Sequence, residues 1–281
     1  MARLSRSPHG TRDGRAACHN WRVPAPRTIR VTRYVTPLRE GGSLPAIVEA
    51  DDDGMYVLKF RGAGQGPRAL IAELVSGEIA RALGLSVPEL VFAELDPELA
   101  RTEPDPEIHA LIMESAGLNL ALDYLPGSVT YDPIVQKPDA DLASRIVWFD
   151  AYVTNVDRTP RNANMLMWHR RLWLIDHGAT LYFHHAPGWE AESARARDPF
   201  AMIKTHVLLA HATRLAAIDE EMSRALGREV IETIVGWIPA SWLATGESGR
   251  DEASVRAGYV RYLLERLVAP RPFVEEALRA R

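Results

Sequence analysis

An acid and two asparagines lie just before an apolar run in the stretch NVDRTPRNANMLMW, residues 155–168. Asp157 opens a turn, and Asn162 and Asn164 follow five and seven residues later. A second acid, Asp176, ends the next apolar run, LWLI. Carboxylate and amide oxygens are ligands that Mg²⁺ prefers in proteins. Turn preference explains the proline and one acid, but the combination predicts a magnesium site beside a second carboxylate.

Two charged residues earlier in the chain complete a set suited to phosphate chemistry. Lys59 lies on a predicted strand, MYVLKF, and Glu73 lies on the helix predicted after it, where it can pair with the lysine. Transfer of the terminal phosphoryl group of ATP needs a cation on the phosphates, Mg²⁺ ligands and a carboxylate beside the acceptor hydroxyl. The residues therefore predict an ATP- and Mg²⁺-dependent phosphotransferase.

In this order of residues the chain resembles the protein-kinase-like superfamily, most closely the bacterial HipA-like kinases. The run NVDRTPRNANML followed by LIDHG is also similar to the catalytic region of phosphatidylinositol 4-kinases. The resemblance covers residues 28–281 in the order of elements, and its motifs are specific across residues 155–178. It implies a small β-rich N-lobe, a helical C-lobe, ATP in the cleft between them, and phosphate transfer to a protein serine or threonine.

The resemblance also implies roles for individual residues. Asp157 is the catalytic-loop acid, Lys59 contacts the phosphates, and Asp176 binds Mg²⁺ together with an asparagine. The five-residue spacing from Asp157 favours Asn162 as that asparagine. Asn164 directly precedes the apolar strand, so both asparagines stay candidates.

Nucleotide contacts are implied at two further places. The glycine turn REGGS, with Gly41, Gly42 and Ser43, would approach the phosphates, although a turn role for the serine is the common case. Met113, Glu114 and the nearby backbone of LIMES would form the hinge that meets adenine.

The sequence departs from the common kinase pattern in several positions. Asn155-Val156 replaces the usual histidine-arginine before the catalytic aspartate, and His177 stands where phenylalanine is common after the metal-binding aspartate. The turn REGGS lacks a full GxGxxG. Arg158 and Arg161 follow the catalytic aspartate and are interpreted either as phosphate contacts or as solvated loop residues.

The helices and strands that the sequence predicts around these residues indicate an α+β fold with two lobes. Strands are expected at IRVTRYV, LPAIVEA, MYVLKF, VPELVFAELD and HALIMES, with a helix in RALIAELVSGEIARALG. The hairpin NMLMW–RLWLIDHG is expected among helices in ADLASRIVWFDAYVTN, PFAMIKTHVLLAHA, TRLAAIDEEMSRAL, REVIETIVGWI, SVRAGYVRYLLERLVA and RPFVEEALRA. The predicted organisation is a disordered basic tail over residues 1–27, an N-lobe over 28–116 and a C-lobe over 117–281.

Composition narrows the class of protein. The 281 residues are 47% hydrophobic and 25% charged, which is ordinary for a globular protein. The net charge of −4 offers no general case for binding nucleic acid, and no apolar run approaches the ~20 residues that span a bilayer. The single cysteine, Cys18, excludes an intrachain disulfide and fits a reducing compartment, so a cytoplasmic location is expected.

Other functions compete with the kinase interpretation. A zinc hydrolase would use His177, His184, His185, His206 and His211, but their spacing matches no compact zinc motif. A nucleotide-binding regulator without catalysis, or a toxin-type interaction module, would use the same residues as the kinase. The acceptor could also be a small molecule or a lipid head group.

Two further residues enter the interpretation. Glu78 lies on the same predicted helix as Glu73 and is its rival as the partner of Lys59. Ser193, in the polar segment after Asp176, is a candidate autophosphorylation site.

Overall fold

The structure is a computed structural model that describes residues 24–38, 44–190, 194–243 and 251–281. Its buried apolar side chains form two clusters, one inside a β-barrel and a larger one in the helical part of the chain. The predicted two-lobed α+β fold is confirmed.

A closed five-stranded barrel forms the first lobe. Its strands are β1 (Thr28–Pro37), β2 (Ala46–Ala50), β3 (Met55–Lys59), β4 (Leu90–Leu95) and β5 (Gly117–Asp123). The order around the barrel is β1-β2-β3-β5-β4, and β4 closes it by pairing in parallel with β1. Along β2, Ala46, Val48 and Ala50 are buried inside, whereas Ile47 and Glu49 are half-buried on the outer face, as the two-residue period of a strand requires.

The first helix, α1 (Pro67–Ala82), packs between the barrel and the second lobe. Pro67 suits its first turn, and Gly84, with φ +76°, follows its end. Every residue from 70 to 80 is buried, so the helix is covered on all sides instead of along one stripe. A Cβ atom on Gly77 would lie 3.0 Å from Leu90 Cδ1, so the helix backbone comes very close to β4.

The strand predicted at HALIMES is wrong, because these residues belong to a helix, α2 (Pro106–Glu114). Asp105 caps this helix by accepting a hydrogen bond from the Glu107 N–H at 3.0 Å. Ile108, Leu111 and Ile112, at helical spacing, are buried against the barrel core. The expected strand begins later, as β5, and the barrel therefore continues to Asp123, beyond the predicted N-lobe end at residue 116. The domain boundaries themselves stay predictions.

The second lobe combines a small sheet with helices. The sheet contains β6 (Val129–Thr130), β7 (Met165–Trp168) and β8 (Arg171–Leu174), so the predicted hairpin is confirmed. The helices are α3 (Ala140–Tyr152), α4 (Leu215–Ala225), α5 (Arg228–Gly236), α6 (Ala240–Leu243), α7 (Glu252–Arg266) and α8 (Pro272–Ala280).

One helix predicted in this lobe is wrong. PFAMIKTHVLLAHA contains two short 3-10 helices, Ala201–Thr205 and Leu209–His211, with an irregular backbone between them. The Val207 N–H there donates to the carbonyl of Arg158 at 3.1 Å. The apolar residues of this segment have helical spacing. However, the Val207 N–H bonds to a residue far away in sequence and is therefore not available to a continuous helix.

Candidate active site

Lys59 links three separate elements. It lies at the end of β3, and its Nζ donates to Glu73 Oε2 on α1 at 2.8 Å and to Asp176 Oδ1, just after β8, at 2.5 Å. Burial by itself would lower the pKa of Lys59, but the Glu73 and Asp176 carboxylates outweigh it and hold the pKa above its usual value. The ammonium group is therefore charged and fixed where the two lobes meet.

Glu73 is the partner of Lys59, and its rival Glu78 is not. Glu73 is fully buried, and its carboxylate also accepts hydrogen bonds from the His177 N–H at 2.9 Å and from His177 Nδ1 at 3.3 Å. Burial raises its pKa, but Lys59 and His177 outweigh burial and lower the pKa below the ordinary range. Glu78 instead lies 3.6 Å from the Arg81 guanidinium, and burial raises its pKa to about 7.

Asp157 lies in the loop between α3 and β7, where both candidate asparagines contact it. Its Oδ2 accepts from Asn162 Nδ2 at 2.8 Å and from Asn164 Nδ2 at 3.1 Å. Asn162 is exposed, whereas Asn164 is half-buried. Both bonds end on Oδ2, and within the described ranges no hydrogen bond is made to Oδ1 of Asp157.

The hairpin β7–β8 brings Asn164 next to Asp176. The Ile175 N–H donates to the Asn164 carbonyl at 3.0 Å, one step beyond the pairing of Met165 with Leu174. Asn164 and Asp176 both have left-handed backbone, with φ +47° and +57°. Such conformations are uncommon outside glycine and concentrate at functional sites. The Asp176 side chain is 46% exposed.

Arg158 was expected on the phosphates or in solvent, and both expectations are wrong because it is 1% exposed. Its Nε donates to Asp150 Oδ2 on α3 at 2.6 Å. Burial raises the pKa of Asp150, but Arg158, His206 and Asn155 outweigh it and bring the pKa to about 2. Sequence reasoning missed Asp150, although an acid within the apolar run IVWFDAY was a usable signal. Arg161 is exposed.

The nucleotide contacts predicted outside this cluster stay predictions. Gly41, Gly42 and Ser43 lie outside the described residues, as do Ser193 and most of the predicted N-terminal tail. Met113 and Glu114 are exposed at the end of α2, with Met113 49% exposed. The strand that supported a hinge at this position is absent from the described fold, and adenine contact there stays a prediction.

Of the histidines in the zinc alternative, His184 and His185 lie together, with their Nε2 atoms 3.1 Å apart, but His177 and His206 have other partners. His177 contacts Glu73, His184 Nδ1 lies 2.9 Å from the Tyr259 hydroxyl, and His206 Nε2 lies 2.8 Å from Asp150. Within the described ranges, no group of three or more His, Cys, Asp or Glu side chains could hold a metal by itself. A hydrolytic zinc centre is therefore not formed by these residues.

With this geometry in view, comparison with known proteins gives a clear family. A family model described as HipA-like kinase matches residues 31–275. The chain belongs to the HipA-like kinase family. The predicted kinase activity and the predicted resemblance are thereby confirmed at the level of the family. The comparison with curated proteins gives no match.

The solved structure of one kinase resembles this HipA-like kinase in fold, and two others align with lower TM-scores. The proinflammatory kinase CtkA of Helicobacter pylori is 12% identical, with 92% of this chain and 99% of that chain covered and a TM-score of 0.50. The Golgi casein kinase is 11% identical, covering 92% and 72% of the two chains, with a TM-score of 0.47. A Golgi casein kinase structure with Mn/ADP bound is 12% identical, covering 92% and 74%, with a TM-score of 0.49.

Among the helices of this HipA-like kinase in the described part of the chain, none is both long and apolar enough to cross a bilayer.

Proposed function

We propose that this HipA-like kinase transfers the γ-phosphate of ATP, with Mg²⁺, to the hydroxyl of a protein serine or threonine. The observation that carries the proposal is the link from Lys59 to Glu73 and Asp176, which fixes a cation at the junction of the lobes. The Asp157 carboxylate is held in the neighbouring loop by two asparagines. Together these groups meet the main needs of phosphoryl transfer, which are positioning and charge neutralisation.

Adenine would bind beside Lys59, against half-buried apolar side chains of both lobes. Val57, two residues before Lys59 on the same face of β3, pairs with Ile47 on the outer face of the barrel. Leu166 lies on β7, two residues after Asn164, and Ile175 directly precedes Asp176. All four apolar side chains are half-buried, yet they belong to neither apolar cluster of the described residues. Half-buried apolar side chains of this kind suit a flat base.

The connection after β5 is our candidate for the hinge. The barrel ends at Asp123 and the chain reaches β6 at Val129, so residues 124–128 join the two sheets. We prefer this connection to Met113, because Met113 lies on a helix at the end of the barrel.

The residues around Asp176 fit a magnesium ion. Asp176 gives one oxygen to Lys59 and has a half-exposed carboxylate. Asn164 turns its amide nitrogen to Asp157, which leaves its amide oxygen for another partner. One carboxylate and one amide are enough for Mg²⁺, which keeps several waters and takes other ligands from phosphate. We assign Asn164 over Asn162, since Asn164 is half-buried and bonded to the neighbour of Asp176.

In the proposed reaction the bound metal would neutralise charge on the phosphate oxygens. Lys59 would contact the phosphates while Glu73 holds its ammonium in place. Oδ1 of Asp157 would orient the acceptor hydroxyl and take its proton. The hydroxyl oxygen forms a bond to the γ-phosphorus, and the bond from that phosphorus to ADP breaks. The products are a phosphomonoester, ADP and a proton.

The choice of a protein acceptor rests on the resemblance to HipA. A small-molecule or lipid acceptor would use the same groups. A catalytically inactive regulator is less consistent with the chain, because both Asp157 and Asp176 are present and Lys59 is charged.

The test uses the purified chain with γ-labelled ATP and Mg²⁺. A serine/threonine peptide library, its alanine counterpart and phosphatidylinositol vesicles serve as acceptors. Label is expected in the serine/threonine library and is expected to fall ~10²-fold or more in Asp157→Ala and in Asp176→Ala. Asp198→Ala, an exposed acid in the second lobe, is the matched control. Asn164→Ala is expected to lose more activity than Asn162→Ala.

Three results would count against the proposal or a part of it. If ATP with Mg²⁺ gives no thermal shift, nucleotide binding is wrong. If Asp157→Ala keeps wild-type turnover, the assignment of that carboxylate is wrong. Label found only in the lipid would replace the protein acceptor with a lipid one.

A further inference from the structure

A buried polar cluster lies beneath the loop that carries Asp157. Asp150, near the end of α3, is fully buried, and its carboxylate has three partners. Arg158 Nε donates to it at 2.6 Å, His206 Nε2 at 2.8 Å and Asn155 Nδ2 at 2.8 Å. All four side chains are buried, and the proposed reaction gives none of them a direct role.

The partners of Asp150 continue into both ends of the loop. At the start, Asn155 Oδ1 accepts from the Asp157 N–H at 3.0 Å. At the end, the Arg158 guanidinium donates to the carbonyls of Ala163 and Asn164. One carboxylate therefore connects, through one intermediate side chain each, to Asp157 and to Asn164.

His206 comes from a distant part of the chain, between the two short 3-10 helices. Its Nδ1 accepts from the Leu208 N–H at 3.0 Å, so Nε2 carries the proton that is donated to Asp150. The Val207 N–H donates to the carbonyl of Arg158 at 3.1 Å. The segment around His206 is thus joined to the loop by a side chain and by the backbone.

We propose that Asp150 and His206 are positioning residues that set the geometry of Asp157 and Asn164. The loop has neither a helix nor a strand ladder to define its backbone, and Asn164 is in a left-handed conformation. A buried ion pair adds little net stability compared with apolar packing, but it can select one arrangement. The kinetic part of this proposal rests on the proposed function, whereas the structural part does not.

The kinetic test replaces His206 in two ways. His206→Gln keeps an N–H donor near the position of Nε2, whereas His206→Leu removes it. His206→Leu is expected to lower kcat ~10-fold or more, because small displacements of reacting groups are costly, while the KM for ATP stays within ~2-fold. His206→Gln is expected to recover most of kcat, and His211→Leu, in the next 3-10 helix, is the matched control. Urea denaturation of each variant checks folding.

A second measurement works even without turnover. In ¹⁵N-histidine-labelled wild type, long-range ¹H–¹⁵N spectra should show His206 as the Nε2–H tautomer. In His206→Leu, the side-chain amide signals of Asn162 and Asn164 should shift, and in His211→Leu they should not. If wild type shows no phosphotransfer but these signals behave as expected, the proposed function fails and the positioning network stands.

Three outcomes would overturn the inference. The first is unchanged kcat and unchanged asparagine signals in His206→Leu. The second is an Nδ1–H tautomer for His206. The third is a loss of kcat that parallels a loss of folding stability in both His206→Gln and His206→Leu. That result would show that the cluster stabilises the fold and does not position the loop.

Discussion

Glu73 and Glu78 lie five residues apart on α1, both buried, and differ in what faces them. Glu73 meets Lys59 and the His177 N–H, which hold its pKa below the ordinary range. Glu78 lies 3.6 Å from the Arg81 guanidinium, and burial raises its pKa from 4.5 to about 7. Burial disfavours the charged form of a carboxylate, and a weak partner does not offset this effect.

Glu78 should therefore make folding stability depend on pH. Between about pH 4.5 and 7 the folded chain keeps a proton that the unfolded chain has lost, so this group's contribution to the free energy of unfolding falls as pH rises. The loss is about 3 kcal/mol once pH exceeds 7. Glu78→Gln should remove it, so the variant gains about 2 to 3 kcal/mol relative to wild type between pH 5 and pH 8. Urea denaturation at the two pH values measures this.

The exposed Glu94 on β4 provides the control. Glu94→Gln should follow wild type at both pH values. If Glu78→Gln also follows wild type, burial does not shift the Glu78 carboxyl as argued.

At the scale of elements, the hairpin β7–β8 carries the proposed metal ligands. Asn164 precedes its first strand and Asp176 follows its second, so the register Met165–Leu174 decides their separation. Its turn residues, His169 and Arg170, have φ +46° and +63°. Positive φ at both central positions is typical of a type I′ turn, which favours glycine at the second position.

Arg170→Gly should therefore stabilise the protein. A non-glycine residue in the left-handed region costs about 1 kcal/mol, so the free energy of unfolding should rise by about 0.5 to 1 kcal/mol with phosphotransfer unchanged. Urea denaturation measures the gain. Arg171→Gly, at the adjacent strand position, should instead destabilise the protein, because glycine weakens a strand. A loss of stability in Arg170→Gly would contradict the turn assignment.

Over the whole molecule, Arg266 on α7 joins parts of the second lobe that are far apart in sequence. It is 1% exposed, and its guanidinium donates to the carbonyls of Ala151 at 2.8 Å and Tyr152 at 2.9 Å, at the end of α3. It also donates to the carbonyls of Ala196 and Asp198, each at 3.1 Å. The helix α3, which leads into the loop that carries Asp157, is thereby joined to α7 and to the segment after Asp176.

Arg266→Met should destabilise the second lobe more than most single substitutions do. It removes the donors of four carbonyls, and an unsatisfied buried polar group costs about 1 to 3 kcal/mol. The free energy of unfolding should fall by more than about 3 kcal/mol, measured by urea denaturation. Arg224→Met on α4, where the arginine side chain is 78% exposed, should change it by less than about 1 kcal/mol. Equal effects of the two substitutions would show that the four carbonyls find other donors.

Much of this fold could be predicted from local pattern. Alternating strands in the barrel, Pro67 and Gly84 around α1, and the β7–β8 hairpin follow from periodicity and turn residues, which are local properties. The strand predicted at HALIMES failed because a short apolar run fits either period. The capping pair Asp105-Pro106 was the signal that favoured a helix.

The sequence by itself determined the identity and order of the groups that we propose act on phosphate: Lys59, Glu73, Asp157, the asparagines and Asp176. It also determined the family, because the motif DRTPRNANML with LIDHG is local. Tertiary structure decided which glutamate meets Lys59 and that Asn164 lies beside Asp176. It also decided that Arg158 is buried on Asp150 and His206. These outcomes depend on contacts between residues many positions apart in sequence. A local sequence pattern contains no information on the burial and pairing energies of such contacts.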